Sequence, residues 1–287
     1  MTGGPHEPVM AGEVLAFLGG CRFVVDATVG AGGHAEALLA AGVGSLMGVD
    51  RDPTARALAT ERLRPFGDRV RVVAGRFSEL EATLGEDRID GVLFDLGVSS
   101  MQLDEADRGF SFRHDGPLDM RMGQDEDGPT AADLVNHLPE RELADVLFRL
   151  GDERRSRRIA AAIVRRRPIT TTDQLAGVVV GAVGARPGGP HPARRTFQAL
   201  RIAVNRELEE LTASLPQAAG LLEPGGRVVV IAYHSLEDGI VKRTFRDDDR
   251  LRVLTKKPLT ASPAEVAANP RARAAKFRAA ERLEAAA

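Results

Sequence analysis

The chain has 287 residues, of which 43% are hydrophobic, enough for one large domain or two ordinary ones around a sizeable core. A net charge of -2 excludes a bulk polycation, so any contact with nucleic acid must come from local patches. The lone cysteine, Cys21, excludes an internal disulfide and a cysteine metal cluster, and no apolar run reaches the ~18 residues of a membrane span.

The opening MTGGPHEPVM has no basic segment followed by an apolar core, so no secretory leader is expected and a cytoplasmic setting is. CRFVVDATVG (21–30) reads as a first strand, and HAEALLAAG (34–42) as a helix closed by Gly42. SLMGVD (45–50) is a second strand ending at Asp50. DPTARALATERLRPF (52–66) is a helix with Pro53 in its first turn. RVRVVAGRF (69–77) and IDGVLFDLG (89–97) are the third and fourth strands. This alternation predicts an α/β fold, a parallel sheet with helices on both faces.

The rhythm then stops. The next strand-like run is GRVVVIAYHS (226–235), far beyond the few tens of residues that a crossover needs. The intervening residues have helical character, and 104–194 is expected to be an inserted helical subdomain. The sheet domain is then discontinuous, 1–103 and 195–287. A single helix over 195–222, with Phe197, Leu200, Val204, Leu208 and Leu211 on one stripe, leads back to the sheet. The Ala- and Arg-rich last thirty residues read as a solvated helix or a partly ordered tail.

DATVGAGGHA (26–35) carries Gly30, Gly32 and Ala35 at the spacing G-x-G-x-x-A, a turn that lets backbone approach a ligand. Asp50, twenty residues after Gly30, suits the hydroxyls of a ribose. Both features fit a nicotinamide dinucleotide and S-adenosylmethionine equally. Asp26 favours the second: it would repel a pyrophosphate, whereas an ammonium and a sulfonium are cations. Asp95 ends the fourth strand at the carboxyl edge of the sheet, where open α/β sheets bind ligands. The D-P-P-Y box of amino-methylating enzymes is absent, the sequence being DLGVSS, so spacing alone does not establish amine methylation.

DLGVSSMQLDEADRGFSFRHDGPLDMRM, with HEPVM, DATVGAGGHA, GDERRSRRIA, RRTFQALRIAVNRELEEL, EPGGRVVVIAYHSLEDGIVK and the tail KKPLTASPAEVAANPRARAAKFRAAER, closely resembles the bacterial 16S ribosomal RNA cytosine-N4 methyltransferases, the RsmH or MraW family. The resemblance implies a class I (Rossmann-like) methyltransferase sheet with a helical insertion, S-adenosylmethionine as cofactor, and methylation of a cytidine N4 in the decoding region of the small ribosomal subunit. It implies contacts to the cofactor from Gly32, Gly33, His34, Asp50, Phe77, Asp95 and Gln102. It is compatible with a homodimer.

His234, in AYHSLED at the end of the fifth strand, is a candidate to orient the cytosine or take its proton. Ser235 has no base and acid partners of a hydrolase kind. Phe110 and Phe112 are candidates to stack on a flipped cytosine, with Arg113 beside them. Arg154, Arg155, Arg157 and Arg158, then Arg165 to Arg167, Arg194, Arg195 and Arg201, are candidate phosphate contacts. The acidic runs DEADRG and QDEDG read as solvated loops, since methyl transfer from a sulfonium needs no metal. Two rival readings share the glycine turn or the arginines: a nicotinamide-dependent dehydrogenase and a non-catalytic RNA-binding factor.

Overall fold

The computed structural model describes residues 8–185 and 188–284, so the start of HEPVM and residues 186–187 of the loop ARPGGPHP lie outside the described residues. In chain order the elements are α1 (Ala11–Leu18), β1 (Phe23–Asp26), α2 (Gly33–Ala40), β2 (Ser45–Asp50), α3 (Pro53–Leu63), β3 (Val70–Ala74), α4 (Leu80–Leu84), β4 (Ile89–Asp95) and α5 (Ser100–Asp104). Then come α6 (Ala131–His137), α7 (Glu140–Gly151), α8 (Ser156–Arg166), α9 (Thr172–Val183), α10 (Arg194–Asn205) and α11 (Glu207–Leu221). The chain closes with β5 (Leu222–Ala232), α12 (Ser235–Asp247), β6 (Leu251–Val253), α13 (Pro263–Ala268) and β7 (Lys276–Arg282). No helix among the described residues is long and apolar enough to cross a membrane.

The chain folds as two units, 1–97 with 208–287, and 98–207. The first holds a seven-stranded sheet in the order β3-β2-β1-β4-β5-β7-β6. β1 to β5 are parallel, and β7 runs antiparallel to both of its neighbours. The parallel part has the doubly wound order of a Rossmann-like sheet, as the alternation of elements requires. One apolar layer, including Phe94, Leu80 and Leu215, covers one face. Another, including Leu38, Leu46 and Phe277, covers the other. The central strands are therefore buried on both sides and read as short apolar runs.

The sheet is mixed rather than all parallel, because the tail supplies a strand. β7 lies between β5 and β6, with Phe277 and Ala279 at 0% exposure. An Ala- and Arg-rich composition looks like a solvated helix. Here the alanines fit where helices press close to the sheet, and Arg278 is buried against Asp238 at 2.6 Å. Phe277 stacks obliquely on Phe17 at 5.2 Å. Phe277→Ala is expected to cost about 3–5 kcal/mol of unfolding free energy, measured by urea titration. A loss under about 1 kcal/mol would mean that β7 contributes little to this core.

The second unit is helical. It extends beyond 104–194 on both sides, over 98–207, and α10 packs on α7. At Gly151 a Cβ would lie 2.5 Å from the Arg195 carbonyl oxygen and 3.1 Å from the Ala199 side chain, so the two helices approach closely there. The helix expected over 195–222 is two helices. The chain turns at Arg206, whose φ of 52° is left-handed. Asn205 fixes the break: its amide donates to Met120 O (2.8 Å) and Arg201 O (2.9 Å) and accepts from Met122 N–H (2.8 Å). Arg201 then grips Glu207 with two contacts of 2.8 Å. The expected stripe is thus divided. Phe197, Leu200 and Val204 pack in the helical unit, and Leu211 in the sheet unit.

Candidate active site

The glycine turn leaves β1 and enters α2. Gly30 and Gly32 have φ of 52° and 82°, the region where a side chain is strained, so the sharp turn requires glycine at both. A Cβ on Gly32 would also press on the Ala59 backbone at 3.3 Å. Asp50, at the tip of β2, accepts the Gly30 N–H at 2.9 Å and the Asp52 N–H at 2.9 Å. Thr28 joins the turn to the next strand, its hydroxyl oxygen accepting the Asp95 N–H at 2.7 Å.

The register of the sheet gathers the acids. Asp26 pairs with Leu93, two residues before Asp95, so the tips of β1 and β4 lie side by side. Asp26 is 1% exposed and accepts the Thr28 N–H at 3.2 Å. Burial pushes its carboxyl up to about 7, helped by Asp95 and Asp50 and opposed by His34. Burial pushes Asp50 upward as well. His34, in the first turn of α2, lies with Nε2 3.4 Å from Asp95 Oδ2. Burial disfavours the imidazolium, but Asp95 and then Asp26 outweigh it, and the net shift is upward. The 3.4 Å contact is an ion-pair distance rather than a formed hydrogen bond, and both ring nitrogens are buried without a hydrogen-bond partner among the described residues. Such orphaned polar atoms beside a bare-backbone turn are what a bound polar ligand would satisfy.

Tyr233 completes the cluster. It follows β5, which runs in register with β4 (Asp95 opposite Ile231), and its hydroxyl donates to Asp95 Oδ1 at 2.8 Å. Burial, then the Asp95 carboxylate, hold that phenol protonated. One oxygen of Asp95 is therefore fixed by Tyr233 and the other faces His34, while a quarter of the side chain stays open to solvent. This pairing is missed when motifs are read singly. The signal available was the chain's single tyrosine, the first residue past β5, the strand adjacent to β4. Thr28 was equally silent. Phe77 packs edge-on against Phe94 at 5.9 Å with its ring part-exposed, and Ser78 beside it bonds Glu210.

His234, the expected candidate to orient the cytosine or take its proton, also has a structural role. It caps α12: Nδ1 accepts the Glu237 N–H at 3.4 Å, and Nε2 lies 3.1 Å from Glu237 Oε1. Glu237 in turn accepts the N–H groups of Tyr233 (2.8 Å) and His234 (3.2 Å). Nδ1 is thus engaged in the cap, while Nε2 is buried beside Glu237 without a formed hydrogen bond. His234→Ala is expected to lower stability by about 1–2 kcal/mol while leaving kcat within about threefold. A fall in kcat of a hundredfold or more in steady-state assays would return the residue to catalysis.

In the helical unit Gln102 is buried and closes a capping box, its Oε1 accepting the Ser99 N–H at 3.1 Å. Phe110 offers no open stacking face: it is 7% exposed, with Arg108 over its ring at 5.7 Å. Phe112 is already stacked, on His191 at 4.3 Å and edge-on to Phe197 at 5.1 Å. The apolar core of this unit draws both rings inward, which the run GFSF does not disclose. Arg113 is exposed. Among the candidate phosphate ligands, Arg154, Arg157, Arg158 and Arg194 are exposed. Arg155 and Arg195 are exposed too, but donate to Val183 O at 2.6 Å and Asp152 O at 2.8 Å.

A protein-family model described as the MraW methylase family matches residues 4–283. The chain is 51% identical over 315 residues to a protein of Methylobacterium sp. named Ribosomal RNA small subunit methyltransferase H, covering 99% of this chain and 93% of that one. It is 52% identical over 310 residues to the protein of the same name from Geobacter sulfurreducens, covering 97% and 99%. Identity of this degree along nearly the whole of both chains, joined to a glycine turn ringed by Asp26, Asp50 and Asp95, places this chain in the MraW methylase family.

Proposed function

We propose that the chain transfers a methyl group from S-adenosylmethionine to N4 of one cytidine in the 16S RNA of the small ribosomal subunit. The carrying observation is the set of three carboxylates around a bare-backbone turn with an unsatisfied His34. A cation is stabilised there and a pyrophosphate repelled, which disfavours the dehydrogenase. Gly30, Gly32 and Gly33 admit the cofactor backbone, Asp50 takes its ribose, and Phe77 lies against its adenine. Asp26 and His34 hold the charged end.

Bound S-adenosylmethionine supplies a methyl carbon on a sulfonium, open to in-line displacement by an amine. An exocyclic cytosine amine is a poor nucleophile because its lone pair is delocalised into the ring. Asp95, clamped by Tyr233, accepts one N–H of that amine and so turns its lone pair outward; fixed orientation supplies much of the remaining acceleration. Asp95 is then the acceptor for the proton that N4 releases. Arg113, Arg154, Arg157, Arg158 and Arg194 bind the RNA by its phosphates.

The test uses small-subunit RNA from cells lacking this protein, incubated with the purified chain and labelled cofactor. Mass mapping is expected to find one N4-methylcytidine. A methyl on carbon five or on a ribose would overturn the amine assignment, and nicotinamide dinucleotide binding without any methyl transfer would overturn the cofactor. RNA binding without any response to S-adenosylmethionine would favour the non-catalytic factor.

A further inference from the structure

The arginines of the helical unit fall into two groups. Arg155, Arg195, Arg167 and Arg201 are occupied: they hold carbonyl oxygens or, for Arg201, the Glu207 carboxylate. Arg158, Arg165 and Arg166 line a groove of about 800 Å³ between α8 and α9. All three are exposed. Positions 158, 162, 165 and 166 recur at helical spacing and share one face of α8. The opposite wall is the outer face of α9, where Gln174, Gly177, Val178 and Gly181 recur in the same way. Among the described residues Asp173 is the one acid in the lining, against three guanidiniums.

The two glycines are informative. Each sits inside α9, where glycine in place of alanine costs about 1 kcal/mol of helix stability. A Cβ on Gly177 or Gly181 would meet no atom within 4 Å, and neither has a left-handed φ. Neither packing nor backbone conformation in the folded chain therefore requires them. Their effect is to bare the helix backbone at those two positions of the groove, whose other wall carries three planar donors that match phosphate oxygens in pairs.

We propose that the α8–α9 groove seats one strand of the RNA substrate, held by its phosphodiester backbone through Arg158, Arg165 and Arg166, with Gly177 and Gly181 admitting the strand against α9. This rests on the ribosomal RNA reading above and goes beyond it by naming the surface. The occupant is a polyanion because the lining carries three positive charges to one negative. It is a nucleic-acid strand rather than a protein helix because the exposed end groups of the α8 wall are guanidiniums rather than apolar side chains.

Two variants of the full-length protein test it. Gly177→Gln with Gly181→Gln fills the floor with neutral, helix-favouring side chains and leaves every charge in place. It is expected to melt at or above the temperature of the unaltered protein while raising KM for transcribed small-subunit RNA by about tenfold or more, with kcat unchanged. Arg158→Gln, Arg165→Gln and Arg166→Gln together are expected to reduce the slope of log affinity against log salt by about two for a fluorescein-labelled single-stranded RNA. Arg246→Gln, on an exposed arginine of the sheet unit paired with Asp247, serves as control and leaves the slope unchanged. If the glycine variant fails to fold, the arginine variant alone decides.

Unaltered RNA affinity and salt slope in the folded variants would overturn the proposal. So would a defect seen only on assembled subunits and not on naked RNA, which would make a ribosomal protein the occupant. Methyl transfer by the unaltered protein, with both variants behaving identically to it, would end the groove and leave the methylase reading intact. No transfer by the unaltered protein, with salt-dependent RNA binding still lost in both variants, would do the reverse.

Discussion

Asp26→Asn is expected to weaken S-adenosylmethionine binding roughly a hundredfold and, without the cofactor, to raise the melting temperature at pH 7.5. Both effects come from one buried carboxyl. At 1% exposure its charge is poorly solvated, and its pKa rises from the ordinary value of 3.8 to about 7. A cationic ligand would restore the charged form to advantage. Leaving a buried charge without its partner costs about 3 kcal/mol, the basis for the hundredfold loss. The neutral amide keeps an oxygen for the Thr28 N–H and removes the desolvated charge, so the ligand-free chain gains.

The sign of the pH dependence follows from the same shift. The folded-state pKa lies above the unfolded one, so Asp26 contributes stability that is fully present below about 4 and is lost as pH rises through about 7. Over pH 5 to 8 the ligand-free protein should lose more stability than the Asn variant does. Cofactor affinity runs the other way. Below pH 7 the carboxyl must release a proton to meet a cation, so affinity falls as pH falls, by up to about tenfold per unit. Calorimetry in buffers of differing ionisation heat should record that proton release, and should not record it for Asp26→Asn. Equal affinities for the two proteins at pH 8 would sink the electrostatic account of the site.

The second large effect is at Asp95. Asp95→Asn is expected to lower kcat/KM for RNA by about 10³ or more, within the range for a group that handles a transferred proton. Tyr233→Phe should cost about ten- to a hundredfold, the worth of one hydrogen bond to a charged group, and it should appear mainly in kcat. The two changes meet at one carboxylate, so the double variant should be little worse than Asp95→Asn alone. Independent, additive losses in stopped-time methyl-transfer assays would show that Tyr233 does not act through Asp95.

How much of this was legible in the chain depends on the distance over which residues cooperate. β1 to β4 and the glycine turn are local patterns, and Asp26, Asp50 and Asp95 stand at strand tips that a doubly wound sheet must bring to one edge. β7 was not legible. Its alanines and arginines follow helical composition, and only burial against a sheet formed earlier in the chain makes them a strand. The break at Arg206 was hidden for a related reason: the apolar stripe continues through it, and the signal lies in Asn205, whose partners are some 80 residues away. Phe110 carried the right chemistry for stacking, but a core contact uses the same ring, and the capping role of His234 Nδ1 depends on where α12 begins. Tyr233 needed the pairing of β4 with β5 before its hydroxyl could be assigned to Asp95.

The insertion of β7 between β5 and β6 also fixes an order of events during synthesis. β6 leaves the ribosome before β7 yet has no neighbour in the sheet except β7 among the described residues, so it cannot join the sheet by itself. The nascent chain must hold the open edge of β5, including Val228 and Val230, until residues 276–282 emerge, and only then can both strands zip into place. Interrupted translation in this final stretch would leave an apolar strand edge uncovered, a natural target for chaperones and proteases.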